Sequence, residues 1–565
     1  MKKRAVSILL SLALLLCAAC ARKTSYESGT AHTELLFSEL PDGGEDAQLE
    51  LARAKELLFR IERGEIEGTA AQEALDARAD AFERLSTDAA IAYVRYCLDV
   101  TDEEQKARYD TLSLTLDALS CVLTDIALLL KDDPALKDRY DAETVAALER
   151  ADRLSDLSIQ PLLERERELV GQYEGLSEAL TVEYNGTLWT GDAIVSDASL
   201  SAEDFETLYE SYMQLFNAEA GAIFLELIAV RNAIAKRLGF DTYAEYAYVC
   251  LDRDYTPEDA ARLSEAVKRE IVPLFSDLRD PFYRAVGSVY GIEFQKEPTL
   301  TRIGEAIVSL FPEFSEPWTY MIEHEMFDLG TDTVRMPGSF VTYFPAYGAP
   351  YLFSSWTGGF DMPSTVAHEF GHYASFYLNG DALENGNVLD LAEIDSQGLE
   401  LLTVLRYDTL YGDRSEAAED VQLFYALYAL IDGCAEDAFQ RFAYEHEGVT
   451  IAELNAAYGR IIQDYGLDRI GVESRSWTQI RHTFQSPFYY VSYATSMAAA
   501  LELYAKSKTD PEAAKNAYRT VLMRKTGAGF LDTLKEAGLR DPFDPDALLK
   551  TARELGSVRR NRMTE

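Results

Sequence analysis

Along most of the chain, apolar residues recur at three- and four-residue intervals, the period of a helix with one buried face. From Asp46 to about Leu180 that period is almost unbroken. Leu112, Leu116, Leu119, Leu123, Ile126 and Leu130 keep helical spacing until Asp133-Pro134 ends it. Thr101 followed by Glu104 reads as the capping box that starts this helix. Two-residue alternation first shows over residues 181–190, on both sides of Asn185-Gly186, and predicts a hairpin with a tight turn. Helices resume near Ser201, which pairs with Asp204 as a weaker capping signal. Gly239 suits a helix C-cap, and Thr256-Pro257-Glu258-Asp259 opens the next helix. The texture then changes at 339–344 and 350–356, which are aromatic and β-prone, joined by 345–349. These stretches lead through Gly358-Gly359 into another helical run. The pattern therefore predicts a mostly α protein with a small sheet just ahead of one helix.

That helix carries His368-Glu369-Phe370-Gly371-His372. A spacing of four puts both imidazoles on one face, a turn apart, and sets Glu369 close enough to reach a water on a metal held between them. Two histidines do not complete a catalytic zinc site, which needs three protein ligands and an open position. The helix is expected to end near Leu378, because Asn379-Gly380 is a stop signal and 381–387 is rich in turn residues. A second helix is expected from about Asp390. On it Glu393, Ser396, Gln397 and Glu400 form one polar stripe flanked by leucines. On its own such a stripe is the wet face of a surface helix. Beside a histidine pair, two carboxylates among leucines call for a cation. Glu393 is the natural third ligand, and Glu400 is placed to orient a ligating histidine. A strand just before a metal helix can also hold an extended peptide along its edge, or serve only as a structural hairpin.

Together, His368-Glu369-Phe370-Gly371-His372 and Glu393-Ile394-Asp395-Ser396-Gln397-Gly398-Leu399-Glu400 resemble the paired signature of the thimet oligopeptidase and oligoendopeptidase F family of zinc metallopeptidases, H-E-x-G-H followed by E-x-x-S-Q-x-x-E. The resemblance extends to 231–246 and 328–356, roughly the last two thirds of the chain; the first 180 residues match only in being helical. It implies a two-lobed helical body with a deep substrate channel, one Zn²⁺ on its floor held by His368, His372 and Glu393, Glu369 as general base, and short unstructured peptides as substrates. It also implies that His482, Tyr490 and Tyr493, in the run His482-Thr483-Phe484-Gln485-Ser486-Pro487-Phe488-Tyr489-Tyr490-Val491-Ser492-Tyr493, contact substrate and stabilise an oxyanion, with Tyr489 a neighbour of open role. Without the family, this run reads as aromatic core. Related architectures include dipeptidyl carboxypeptidases, and a non-catalytic surface peptide binder is a reading of a different class. An intact Glu369 argues against a mere binder, since binding needs no general base. His324-Glu325-Met326-Phe327-Asp328 is a decoy with Asp in the second ligand position, and His32 and His446 stand alone.

The N-terminus adds a location. Lys2, Lys3 and Arg4, an apolar run to Leu16 and Cys17-Ala18-Ala19-Cys20 read as a signal peptide over 1–19, resembling the lipoprotein type in which Cys20 becomes the lipidated first residue. The run is too short to span a bilayer comfortably. The expected organisation is a tether over 20–40, an N-terminal helical lobe over 41–180, a catalytic region over 181–555 and a tail over 556–565, in an extracytoplasmic protein held to the bacterial membrane only by its lipid. At 565 residues with a net charge of −43, the chain should repel nucleic acid and anionic headgroups. The remaining cysteines, Cys97, Cys121, Cys250 and Cys434, form no C-x-x-C pair and are expected as buried free thiols.

Overall fold

The computed structural model describes residues 32–41, 43–44, 46–154, 157–332, 334–380, 389–525 and 527–562. The signal peptide, Cys20 and the turn-rich stretch after Gly380 lie outside the described residues. Helices α1 (Ala47–Glu62), α2 (Gly68–Leu98) and α3 (Glu103–Leu130) open the described helical part of the chain, and α4 (Gln160–Ala179) precedes the hairpin. α3 starts on a different cap from the one the sequence suggests. Asp102 accepts from the Glu104 and Gln105 amides at 3.1 and 3.0 Å, while the Thr101 hydroxyl turns away to Asp99. A carboxylate that satisfies two orphan amides displaces the hydroxyl.

The hairpin is β1 (Thr181–Tyr184) with β2 (Thr187–Thr190), antiparallel with Thr181 opposite Thr190. Its two loop residues both take positive φ, 52° for Asn185 and 78° for Gly186, as the favoured tight turn requires. Helix α5 (Ala202–Arg237) follows, capped by Ser201, whose hydroxyl exchanges hydrogen bonds with Asp204. α3 and α5 each contain a window apolar enough to cross a membrane, but 50% of each window is buried inside the protein, as in core helices.

A three-stranded sheet comes next, β3 (Phe327–Gly330), β4 (Ser339–Phe344) and β5 (Ala349–Ser355), in the order β3-β5-β4. β5 pairs parallel with β3 and antiparallel with β4. The strand that leads to the H-E-x-G-H helix is thus central and paired on both sides. A peptide could add only to β3 or β4. β3 lies partly inside the decoy motif and is too short to show an alternation in sequence.

α6 (Met362–Asn379) ends at Gly380, with φ 63°, and α7 (Leu389–Thr403) follows. Next come α8 (Ser415–Glu445), the short helix Arg481–Gln485, α9 (Val491–Ser507) and α10 (Pro511–Leu522). Among the described residues, two apolar cores result. One joins α1, α2 and α3; the other holds α5 to α10, the sheet, most of α4 and the far end of α2. The main core therefore begins before residue 180. It also takes in part of the expected tether. Phe37 and Leu40 are buried, Thr33 donates to the Tyr347 carbonyl, and His32 stacks on Tyr377 at 3.8 Å. Two apolar side chains and a stacked imidazole dock a segment that shows no helical period. Cys97, Cys250 and Cys434 are buried free thiols, and Cys121 is a half-buried one.

Candidate metal centre

α6 and α7 lie against each other closely because Gly371 has no side chain. A Cβ there would stand 2.3 Å from the Asp395 carbonyl oxygen and 2.7 Å from the Ser396 Cα. The H-E-x-G-H glycine thus sets the distance between the histidine helix and the Glu393 helix. Asp395 locks the contact from the other side. It accepts from Arg524 at 2.9 and 3.0 Å and from the Ser375 hydroxyl at 2.6 Å, and its carbonyl accepts from Tyr518.

Across this seam, His368, His372 and Glu393 place one ligand atom each within 4.8 Å of one another. The Nε2 atoms of His368 and His372 face the same oxygen of Glu393, at 3.7 and 3.8 Å. Glu400 binds the other nitrogen of His368, Nδ1, at 2.9 Å and is held in turn by Gln422 at 2.7 Å. That contact leaves His368 Nε2 as the atom presented to the cluster, the arrangement that orients ligating histidines. Ser396 donates to Glu393, and Gln397 accepts from Ser496 at 2.9 Å. The stripe on α7 is thus a buried polar seam rather than a wet face. Two imidazoles and a carboxylate with this spacing fit a divalent metal ion.

Charge follows the same geometry. Burial alone would lower His368, but the Glu400 hydrogen bond and the charges of Glu400, Glu369 and Glu393 raise it to about 9. His372 goes the opposite way, driven well below the usual imidazole range by burial and by its neighbour His368. Burial raises Glu393, against the pull of His368 and hydrogen bonds from Tyr489 and Ser396. Glu369 is buried beside His368, near enough for its charge to act on both His368 and Tyr493.

The aromatic run forms the facing wall. The His482 ring lies 5.2, 5.1 and 6.0 Å from those of Tyr489, Tyr490 and Tyr493. The residue of open role has the direct contact: Tyr489 donates to Glu393 Oε1 at 3.1 Å. Tyr493 is raised by burial and by the Glu393 charge, whereas Tyr490 is raised by burial and by Asp432 and Glu436 on α8. Gln422, Asp395 with Arg524, and the hydrogen bond of Tyr489 to Glu393 escaped sequence reasoning. Only Asp395 carried a signal, as a charged residue on the leucine-rich helix beside that stripe.

Three solved structures share this arrangement of elements. A PZ peptidase A determined with an inhibitor superposes with a TM-score of 0.76 at 23% identity, covering 92% of this chain and 98% of that one. A protein provisionally assigned as oligoendopeptidase F gives 0.77 at 24% identity, over 93% and 98%. Another with that provisional assignment, from Bacillus anthracis str. Ames, gives 0.75 at 20% identity over the same shares. The chain has the oligoendopeptidase F fold. No family model matches the sequence, and no curated protein matches it significantly. The oligoendopeptidase F fold extends over the N-terminal helices as well, where sequence showed nothing beyond helical character. Among the described residues, its metal-like cluster is the one that the two signature motifs identify.

Proposed function

We propose that the protein is a zinc-dependent oligopeptidase that cleaves short, unstructured peptides internally. The observation that carries this reading is the convergence of His368, His372 and Glu393 with Glu369 buried alongside. His368, His372 and Glu393 would hold Zn²⁺, which when bound would supply Lewis acidity at neutral pH. Glu369 takes the proton of the attacking water and passes it to the departing amine as the C–N bond breaks and the C–O bond forms. His482, Tyr490 and Tyr493 donate to the carbonyl oxygen as it gains charge. Tyr489 and Ser396 hold the Glu393 carboxylate, and Glu400 holds His368. The likeness to peptidases, one of them solved with an inhibitor, supports a peptide substrate.

The deciding experiment maps cuts in a peptide library of mixed lengths by mass spectrometry, with and without chelator. Internal cuts abolished by chelator are expected. Removal of C-terminal dipeptides alone would make the enzyme an exopeptidase, and no cleavage at all would make it a binder. Glu369→Gln should keep its metal and lose about 10²- to 10⁴-fold in kcat. We further propose that the protein works outside the cytoplasm as a lipoprotein anchored through Cys20. Cys20→Ala should move it from the membrane to the soluble fraction, and unchanged fractionation would discard the anchor.

A further inference from the structure

Phe488 sits between Pro487 and the tyrosines of the facing wall, with φ 63°. That left-handed backbone suits glycine; a phenylalanine adopts it only where its surroundings impose it. Here both sides of the residue are held. The Phe488 amide donates to Gln440 Oε1 at 2.6 Å, and its carbonyl accepts from Arg253 Nη2 at 2.7 Å. Phe488, Gln440 and the Arg253 side chain are all fully buried, at 0% exposure, so water cannot take over either contact.

Arg253 does more than bind one carbonyl. Its Nη2 also donates to the Ser492 hydroxyl at 2.8 Å, on the first turn of α9, one residue before Tyr493. Its Nε lies 3.7 Å from Asp390, on the first turn of α7, three residues before Glu393. The Tyr248 ring stacks beneath the guanidinium at 4.4 Å, and its hydroxyl donates to Asp437, one turn before Gln440 on α8. One cation thus ties the tyrosine turn to the helix that supplies the carboxylate ligand. Tyr489, the residue after Phe488, is the one that reaches Glu393.

We propose that Gln440 and Arg253 are positioning residues: they hold Phe488 in its left-handed conformation and so aim Tyr489, Tyr490 and Tyr493 at the metal centre, setting turnover without touching substrate. The effect on turnover rests on the peptidase reading; the hold on Phe488 does not.

The test uses the full chain loaded with zinc. Gln440→Met keeps the side-chain volume and removes the acceptor, whereas Gln440→Glu keeps an oxygen in the same place. For Gln440→Met, kcat should fall about 10- to 100-fold, since a misplacement of about 1 Å has effects of that size, with KM changed less than about twofold and zinc content equal to wild type. Gln440→Glu should recover most of kcat, a rescue that a general packing defect would not show. Hydrogen exchange supplies a readout free of activity: Gln440→Met, and Arg253→Lys as a second variant, should speed exchange in residues 486–493 and leave α6 unchanged. A kcat within about threefold of wild type, a loss that Gln440→Glu does not recover, or exchange that rises evenly across the protein would overturn the proposal. A wild-type enzyme that cleaves no peptide overturns the peptidase reading, and the exchange measurement then decides the clamp by itself.

Discussion

Gly371→Ala is the sharpest perturbation of the metal centre, because the added methyl meets backbone rather than a side chain that could rotate away. Its Cβ would stand 2.3 Å from the Asp395 oxygen, where about 3.5 Å is a comfortable contact. Relief requires α6 and α7 to part by about 1 Å, while metal–ligand distances are held to about 0.2 Å. The overpacking itself should cost about 3 kcal/mol, the upper end of the usual range, because neither backbone can yield locally. Separating His368 and His372 from Glu393 should weaken zinc binding at least about 100-fold, or about 2.8 kcal/mol. Gly398→Ala, on the neighbouring helix α7, is the control. There a Cβ meets the Tyr518 ring at 2.9 Å and the end of Leu503 at 3.4 Å, side-chain atoms rather than backbone. Metal-free proteins would be titrated with zinc against a chromogenic chelator, and urea unfolding of the same samples would separate stability from affinity. A zinc Kd for Gly371→Ala within about threefold of wild type, or equal losses in the two variants, would refute the claim that this glycine sets the ligand spacing.

Two further outcomes follow from the site and its surroundings. Glu400→Ala frees His368 to rotate and should lower zinc affinity or activity by about 10- to 100-fold in the same titration; an unchanged enzyme would remove Glu400 from the metal centre. The carboxyl groups of Asp432 and Glu436 ionise normally near 3.8 and 4.5, but burial pushes Asp432 up to about 7, and burial with the Asp432 charge pushes Glu436 up to about 8. Across that window the unfolded chain has given up protons that the folded chain keeps, so this pair's stability contribution is greatest at acid pH and declines as pH rises through 7 to 8. Glu436→Gln should therefore gain on wild type in urea melts as pH rises from 5 to 8.5, and a pH-independent gap between them would contradict the assignment.

The features visible in sequence are those with local causes. Helical spacing, the Asn185-Gly186 turn and the Thr256 capping box depend on residues a few positions apart. The two halves of the candidate metal centre each lie on a single helix turn or two, so their candidate ligands stand out by period. What stayed hidden depends on distant pairing. Tyr489 meets Glu393 across 96 positions and Arg524 meets Asp395 across 129, with no periodic trace of either. The docking of 32–40 was hidden for another reason: Phe37 and Leu40 are too few to make a pattern, yet enough to bind a strap to a preformed surface. The same limit applied to β3, whose role as a sheet edge comes only from the strand beside it.

α2 crosses from one core to the other without a break. Leu75, Phe82 and Leu85 lie in the first core and Ile91, Val94 and Cys97 in the second. Its far end is riveted to the sheet region: Tyr93 packs on Phe340 at 5.3 Å, Thr87 accepts from the Ala346 amide at 2.9 Å and Cys97 accepts from the Met336 amide at 2.9 Å. Mechanically this is a lever with its fulcrum beside β4. The twenty or so residues before the fulcrum make a rigid arm of about 30 Å, so a tilt of about 5° would swing its tip by roughly 3 Å. Such a tilt moves the first core as a unit against the second and leaves the seam between α6 and α7, which lies wholly in the second, as it is.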